Sequence, residues 1–466
     1  MSDRLQTPAG AFRHNLDVQA LRQWVEQQRW YASKSRHVTG IEIDDAAVIS
    51  EDPPLYLALI QTRFATGSHE LYQLPLTFLP SGHSAGQTAI ATTPDWSAFD
   101  ALSDPNMARD LLRRIYSEDQ HETEEGEFSF HHVDGAAAIA ADAPARAVGA
   151  EQSNSSIVFG DQVVLKVFRK LEPGINPELE LLQFLTKQRF PNIAPLIGWY
   201  AYEGRSFAAT LGVAQRFFAD ATGGWELALE RLVTDPDSFL AELGSLGQVT
   251  AELHNALASD ALDPAFAPEE PSSESISLLT ATIDEDIERI FMRLPDDARV
   301  APIAGRGQEV RERITMRAHL GTGGRAIRTH GDFHLGQTLH TPDRWVIIDF
   351  EGEPARALVE RRQKRSPLRD VASMLRSFAY VTTAVRIMRG VEPPPDFEQR
   401  ARQNFLQQYF AHVDSALLPP GESGIENMLS LFELEKAVYE LQYELDNRPD
   451  WVSIPVAGIT RILESE

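Results

Sequence analysis

A chain of 466 residues, 43% of them hydrophobic, is too long for one small core and rich enough in apolar side chains to bury two or three. Its formal net charge of −25 excludes a general nucleic-acid or anionic-membrane binder, because phosphate groups would be repelled over most of the surface. With no cysteine, disulfides, thiolate nucleophiles and cysteine zinc sites are excluded too; no apolar leader opens the chain and no run reaches the roughly 20 apolar residues of a membrane span, so a cytoplasmic location is expected.

In chain order, residues 15–29 read as a short amphipathic helix. VTGIEIDDAAVI, PLYLALIQTRFA and HELYQLPLTFL then alternate or run apolar as strands do, which predicts an N-terminal α+β unit over residues 1–95. EFSFHHV, SSIVFG and QVVLKVFRK continue the strand pattern to Lys170, and PELELLQFLTKQ reads as a helix with Pro177 in its first turn, giving a second unit over 96–213. Beyond it helices dominate, from SFLAELGSLGQVTAELHNALA onward, with APEEPSSES as a linker, so 214–466 is expected to be a mainly helical unit. Strand-rich first half and helix-rich second half predict a two-lobed α+β enzyme with its site in the cleft between lobes.

The chemistry concentrates in THGDFHLGQTLH and in RWVIIDFEG. Asp332 is followed five residues later by Gln337, and Asp349 emerges from the end of a short β-branched run. A carboxylate, an amide five residues on and a second carboxylate after a strand is the order in which kinase-like phosphotransferases supply a base and two magnesium ligands. The chain here resembles the protein-kinase-like fold in its aminoglycoside and choline kinase branch, where HGDxHxxN and IDFE stand for the kinase motifs. Gln337 departs from the usual asparagine but keeps an oxygen ligand. The resemblance implies ATP and Mg2+ as cofactors, Lys166 of VVLKVFRK on the phosphates, and a helical glutamate as its partner. Glu178 and Glu180 are the candidates, with Glu180 favoured. It also implies a phosphate-covering turn, for which Ser153, Asn154, Ser155 and Ser156 offer small side chains and free amides. Adenine would then bond to backbone near Val213 and Gln215.

RWYASKSR, IDFEGEP, ERRQKRSPLRDVASMLRSF and FELEKAVYELQYELDNRPDW, in that order along most of the chain, resemble the bacterial maltokinase family. That resemblance implies an N-terminal cap on an ATP lobe, and transfer of the γ-phosphoryl group of ATP to the anomeric hydroxyl of maltose. The product would be maltose 1-phosphate, a donor for α-glucan synthesis. Lys436, Tyr439 and Tyr443 fall at i, i+3 and i+7, one helical face, where two tyrosines can cover the apolar faces of a sugar and the lysine can bind its rim. Glu440, Arg448 and Trp451 are further candidates. Asp370 follows Ser366, an expected N-cap, and Pro367, an expected N1 residue. In kinase-like folds an aspartate here accepts backbone amides of the catalytic loop.

Other readings stay open. Glu435, Glu440 and Glu444 beside Lys436 suit an ammonium group, so an amino sugar such as glucosamine, or an aminoglycoside, is an alternative acceptor. A sugar- or nucleotide-binding module without catalysis is a third reading, against which the intact Asp332, Gln337, Asp349 and Lys166 set argues. His330 is a candidate substrate contact, although a buried histidine fixing the loop is the preferred assignment, and His334 is treated alike. A zinc set of His330, Asp332 and His334 lacks a third histidine in a matching motif. His254 is expected to pack between helices, and the acids of TIDEDIERI to face solvent.

Overall fold

The computed structural model describes residues 18–464 except 32, 53, 83–87, 137, 141, 149–153, 272, 321–323 and 355. Its contacts group the chain into two units, residues 1–186 with 194–219, and residues 187–193 with 220–466, so the expected 1–95 and 96–213 segments share one unit.

The first unit opens with α1 (Val18–Gln27) and an antiparallel sheet of β1 (Val38–Glu51), β2 (Pro54–Phe64), β3 (His69–Pro80), β4 (Ala91–Thr92) and β5 (Trp96–Asp100), in the order β1-β2-β3-β5-β4. β5 carries this sheet past the boundary expected at residue 95. Trp30 and Tyr31 of RWYASKSR are buried, each with its ring centroid 5.6 Å from that of Tyr72, so half of that motif is core. The polar half gathers on Glu70, which accepts from Ser33 (2.9 Å), Arg36 (3.2 Å), Tyr72 (2.6 Å) and Lys170 (2.8 Å).

After α2 (Ala108–Ser117) comes a seven-stranded sheet. It is built from β6 (Gln120–Glu122), β7 (Gly126–His132), β8 (Ala145–Ala147), β9 (Asn154–Phe159), β10 (Val163–Phe168), β12 (Leu196–Gly204) and β13 (Ala208–Arg216), in the order β6-β7-β12-β13-β10-β9-β8. β11 (Lys170–Leu171) continues β10 into the first sheet by pairing with β3, and α3 (Pro177–Lys187) follows. Two buried polar side chains tie the sheets together. The Gln73 amide, wholly buried on β3, donates to the carbonyls of Phe168 (2.6 Å) and Leu211 and accepts from the Tyr200 hydroxyl (3.1 Å). Arg169 donates to Asp100 (2.8 Å) and Ser155 (2.8 Å) and lies 5.5 Å from the Trp30 ring centroid. A buried amide is tolerated only when its hydrogen bonds are met, and here they are met across two sheets.

The second unit begins with β14 (Thr222–Gly223), which joins β15 (Thr338–His340) and β16 (Trp345–Ile347) in a small sheet. The rest is helical: α4 (Gly224–Thr234), α5 (Pro236–Leu257), α6 (Ser273–Phe291), α7 (Gly307–Leu320), α8 (Leu358–Arg361), α9 (Leu368–Arg389), α10 (Phe397–His412), α11 (Gly421–Asn447) and α12 (Ser453–Glu464). Asp235 caps α5, accepting from Ser238 N at 3.1 Å, and Pro236 fills the first position, where no amide donor is needed. α5 and α10 approach so closely that a Cβ on Gly247 would stand 2.2 Å from the Phe405 carbonyl oxygen. α9 starts one residue later than expected, with Pro367 as the cap position and Ser366 Oγ 3.4 Å from Leu368 N.

Gln73→Leu keeps the volume but strips the amide, leaving the Tyr200 hydroxyl and two carbonyls short of a partner. Stability should fall by about 1–3 kcal/mol, read as a lower urea midpoint at unchanged slope. An unmoved midpoint would show that this linkage carries no stability.

Candidate active site

On the first unit, β10 places Lys166 between Ser156 of β9 and Val213 of β13. Its ammonium meets Glu178 Oε2 at 2.8 Å, and Gln215 donates to the other oxygen of Glu178 at 2.9 Å. The partner glutamate is therefore Glu178, correcting the preference for Glu180. The physical reason is helix phase: Asn176 Oδ1 accepts from Glu178 N at 2.8 Å and fixes where α3 starts, and side chains two residues apart point to different sides of a helix. Glu178 also sits in the first turn, where the helix dipole favours an anion.

Two further expectations on this unit are corrected. Asn154, Ser155 and Ser156 lie within β9, paired to Phe168, Val167 and Lys166, and Ser155 Oγ is engaged by Arg169, so they do not form a phosphate-covering turn. The connection between β8 and β9, 149–153, lies outside the described residues, and with it Ser153. Val213 and Gln215 belong to an interior strand whose edges pair with β10 and β12, so their backbone is committed to the sheet rather than to adenine. The Gln215 side chain serves the Lys166–Glu178 pair instead.

On the second unit, the loop carrying Asp332 is held from behind by Asp370. Its buried carboxylate accepts the backbone N–H of His330 (2.8 Å) and of Gly331 (2.9 Å), and His254 bridges from Asp370 (3.3 Å) to the Tyr409 hydroxyl (2.9 Å). Asp370 thus has the supporting role read from the sequence. His254 does more than pack, since it anchors that support to α10. Gly331 takes φ +86°, and a Cβ there would come 3.3 Å from the Cα of Gly352, itself at φ +74°. His330 is 1% exposed; Nε2 donates to the Ile348 carbonyl (2.9 Å) and Nδ1 faces Asp332 N (3.4 Å). This corrects its candidacy as a substrate contact, because Nε2 ties the Asp332 loop to the segment leading into Asp349 and Nδ1 is taken up within the loop itself.

Ile348 N donates to Gln337 O at 3.0 Å, which sets the two residues proposed as metal ligands on adjacent backbone. Asp349 takes φ +65°, a left-handed conformation that costs free energy for a non-glycine residue and concentrates at functional sites. Glu351, not singled out in the sequence, offers a carboxylate oxygen within 4.8 Å of one from Asp349. The alternation of DFE, two residues apart in extended chain, was the signal available.

Lys436 reaches Asp332 Oδ1 at 3.1 Å and Glu353 Oε1 at 3.0 Å. Glu353 in turn meets Arg356 at 2.5 Å, and Glu435 joins Arg356 (3.2 Å) to Arg369 (2.8 Å). Burial works to raise the pKa of Asp332, but Lys436 and His334 outweigh it and hold the carboxyl well below its ordinary range. His334 Nδ1 accepts from Gly336 N (3.0 Å), leaving Nε2 to carry its proton 3.7 Å from Asp332 Oδ2. An ionised carboxylate is what a hydroxyl acceptor needs facing it.

A cavity of about 380 Å³ opens beside this group, lined by Lys436, Glu353, Gly331 and Tyr439 and walled by residues of α6, including Leu278 and Ile283. Tyr439 is 39% exposed, with the Lys436 ammonium 5.1 Å from its ring centroid. Among the described residues Tyr443 and Trp451 do not line this cavity. Tyr443 has Arg448 5.2 Å from its ring, and Trp451 stacks on Tyr380 with Arg448 4.9 Å away. Glu440 is corrected from ligand to structural residue: it is buried and binds Arg376 of α9 at 2.6 and 3.0 Å, where Gly458 of α12 leaves room for the guanidinium. Of the residues on the expected helical face, Lys436 and Tyr439 line the cavity. Sequence spacing missed Glu353, Arg356 and Arg369, whose relevance depends on contacts far apart in sequence.

Burial acts to raise the pKa of Glu353, yet Lys436, Arg369 and Arg356 pull it from 4.5 down to about 2. A depressed carboxylate contributes stability above its unfolded pKa and loses it as pH falls through the folded value. Lys436, with its pKa raised despite burial by Asp332 and Glu353, contributes below its unfolded value and loses only in strong alkali. The cluster should therefore be intact at neutral pH and weaken between about pH 4.5 and 2. Urea midpoints taken across that range should drop, and Glu353→Gln, weaker at neutral pH, should show a shallower drop.

Compared with known proteins, residues 24–104 match the maltokinase N-terminal cap domain and residues 144–379 match the phosphotransferase enzyme family. Similar relatives are a glucosamine kinase of Mycolicibacterium smegmatis, 26% identical over 68% of this chain and 79% of the relative, and one of Streptacidiphilus jiangxiensis, 25% identical over 73% and 78%. Among solved structures, a glucosamine kinase in complex with glucosamine, ADP and inorganic phosphate superposes with a TM-score of 0.68 at 19% identity, over 95% of this chain and 98% of that one. A second crystal form of glucosamine kinase gives 0.70 over 95% and 99%, also at 19% identity. With the Asp332, Gln337 and Asp349 motifs inside the matched region and a cap domain before it, the chain belongs to the phosphotransferase enzyme family and carries the kinase-like fold with a maltokinase N-terminal cap.

Proposed function

We propose that this protein is an ATP- and magnesium-dependent maltokinase, forming maltose 1-phosphate for α-glucan synthesis. The observation that carries the reading is the charge state of the cavity beside Asp332. Both buried carboxylates in its wall, Glu353 and Glu435, are already paired with Lys436, Arg356 and Arg369, so the wall suits an uncharged, hydroxyl-rich ligand. Tyr439 offers a ring to the C–H face of a sugar, and the cavity volume lies in the roughly 300–1,000 Å³ range of small-molecule sites.

In this reading Asp332 orients the anomeric hydroxyl and takes its proton as the new O–P bond forms and ADP leaves. Lys166, steadied by Glu178, neutralises phosphate charge. Gln337, Asp349 and Glu351 supply an amide and two carboxylate oxygens, a hard donor set that fits magnesium. When bound there, the ion would screen charge on the phosphates. A second reading, glucosamine as acceptor, is favoured by the names of the relatives. It asks an ammonium group to enter a wall of Lys436, Arg356 and Arg369, with only exposed Glu360 as a carboxylate outside ion pairs.

The deciding experiment incubates the protein with ATP and magnesium against maltose, glucosamine and glucose, and identifies the product by mass spectrometry and phosphorus NMR. Maltose 1-phosphate is expected; glucosamine phosphate as the main product would replace this reading. Asp332→Asn should lower kcat by roughly 10²- to 10⁴-fold with the fold intact by circular dichroism, and near-normal turnover would remove Asp332 from the reaction.

A further inference from the structure

The cavity wall holds a cation and a hydroxyl that the cluster around Lys436 leaves unused. Arg365 lines the cavity, yet among the described residues no carboxylate comes within ion-pair distance of it. Its one side-chain hydrogen bond runs from Nη2 to Gln363 at 2.5 Å, and its buried Nε has no partner. Ser373, in the same wall and 8% exposed, also has a buried Oγ without a partner. Arg365 is not a loose surface side chain. Its backbone is bridged both ways to Ile327, at 2.8 and 2.9 Å, and Ser373 stands on α9 one turn beyond Asp370, which grips the Asp332 loop.

Five cations line this wall, Lys436, Arg289, Arg356, Arg369 and Arg365, against the carboxylates Glu353, Glu435, Asp286 and Glu360 and, behind Lys436, Asp332; Arg365 is the one of these cations with no carboxylate in ion-pair distance among the described residues. Buried polar groups without partners are uncommon in folded proteins because each forfeits its hydration. A guanidinium with an unpartnered Nε and no carboxylate in ion-pair distance, beside an unpartnered hydroxyl in the same cavity wall, points to a ligand that supplies oxygens. Burial, with the neighbouring Arg369 and Arg356, lowers the Arg365 pKa against the opposing pull of Glu435 and Glu360.

We infer that Arg365 and Ser373 are the specificity pair of the acceptor site, donating to the hydroxyl and ring oxygens of a neutral sugar and turning away sugars that carry an ammonium group. The inference rests on reading this cavity as the acceptor site. Arg365 supplies charge-assisted hydrogen bonds to sugar oxygens, and a turn of the Ser373 hydroxyl about χ1, from one staggered well to another, brings it to the ligand. An amino sugar would bring a second positive charge beside Arg365, which has no carboxylate in ion-pair distance among the described residues, and like charges brought together in a water-poor cavity repel.

The test uses the full-length protein with saturating ATP and magnesium, measuring kcat and KM for maltose and for glucosamine in the wild type, Arg365→Gln, Arg365→Lys and Ser373→Ala, with Glu360→Gln as the rim control. Arg365→Gln should raise the maltose KM by about 10- to 100-fold, the worth of a charged hydrogen bond, leave the KM for ATP in place and improve glucosamine relative to maltose. Arg365→Lys should keep the discrimination against glucosamine while binding maltose less well, because charge is retained and the planar fork is lost. Ser373→Ala is the variant that a purely structural role cannot imitate. It breaks no hydrogen bond in the free protein, so thermal stability should be equal or higher while the maltose KM rises about 3- to 10-fold. Unchanged maltose KM in both Arg365→Gln and Ser373→Ala, with a folded, active wild type, overturns this inference alone. A wild type that prefers glucosamine, or does not turn over maltose, overturns the substrate reading itself, and Glu360→Gln would then be the variant that loses activity.

Discussion

The second unit is organised around one buried cation. Lys436 extends from α11 into a space where Asp332 and Glu353 would otherwise repel each other, and its ammonium lies 3.1 and 3.0 Å from them. Each of the three is costly to bury alone. Together they fix the distance between a long helix, the Asp332 loop and the chain that follows Asp349. Arg356, Glu435 and Arg369 extend the same alternation of sign, so the cavity wall is a network rather than a set of separate pairs. Chemistry and architecture share these atoms. The group that would face an acceptor hydroxyl is also one that holds α11 to the loop.

Rigidity behind that network comes from backbone rather than from further charge. Asp370 accepts two successive amides of the Asp332 loop, and His330 binds the Ile348 carbonyl, so the loop is fixed on two sides before any ligand is present. Preorganisation of this kind is what phosphoryl transfer asks of a protein, since catalysis there is mostly positioning and electrostatics. The strained φ of Asp349 belongs with it, a local cost sustained by surrounding hydrogen bonds. In the first unit, Gln73 and Arg169 play the matching part, joining the cap sheet to the strand that carries Lys166. The cap sheet is thereby hydrogen-bonded to the Lys166 sheet at Phe168 and Arg169.

Much of this was legible without coordinates. The kinase-like order of Asp332, Gln337 and Asp349 is a property of local spacing, and so is the common face of Lys436 and Tyr439 on α11. Asp370 could be assigned its supporting role because its position follows from Ser366, Pro367 and the fold that the motifs imply. Several local expectations still failed for identifiable reasons. Serines 155 and 156 read both as the start of the strand SSIVFG and as part of a phosphate-covering turn, and only the strand holds, because both pair with β10. Val213 and Gln215 were expected to offer backbone to adenine, yet β13 has a strand on each side. Glu440 looked like a ligand one helical turn on from Lys436, yet it is buried against α9, where its carboxylate takes Arg376 as partner.

The sequence alone determined the kinds of groups present, their order and the face of the helix on which neighbours lie, since all of these depend on spacing of a few residues. Tertiary structure decided which partner each group takes. Glu178 rather than Glu180 meets Lys166 because Asn176 sets the phase of α3. Lys436 finds Asp332 across 104 residues, and among the described residues Arg365 has no carboxylate in ion-pair distance while Arg356 and Arg369 have theirs. Ion pairing depends on distance within a few ångströms and on burial, and both are properties of the packed chain.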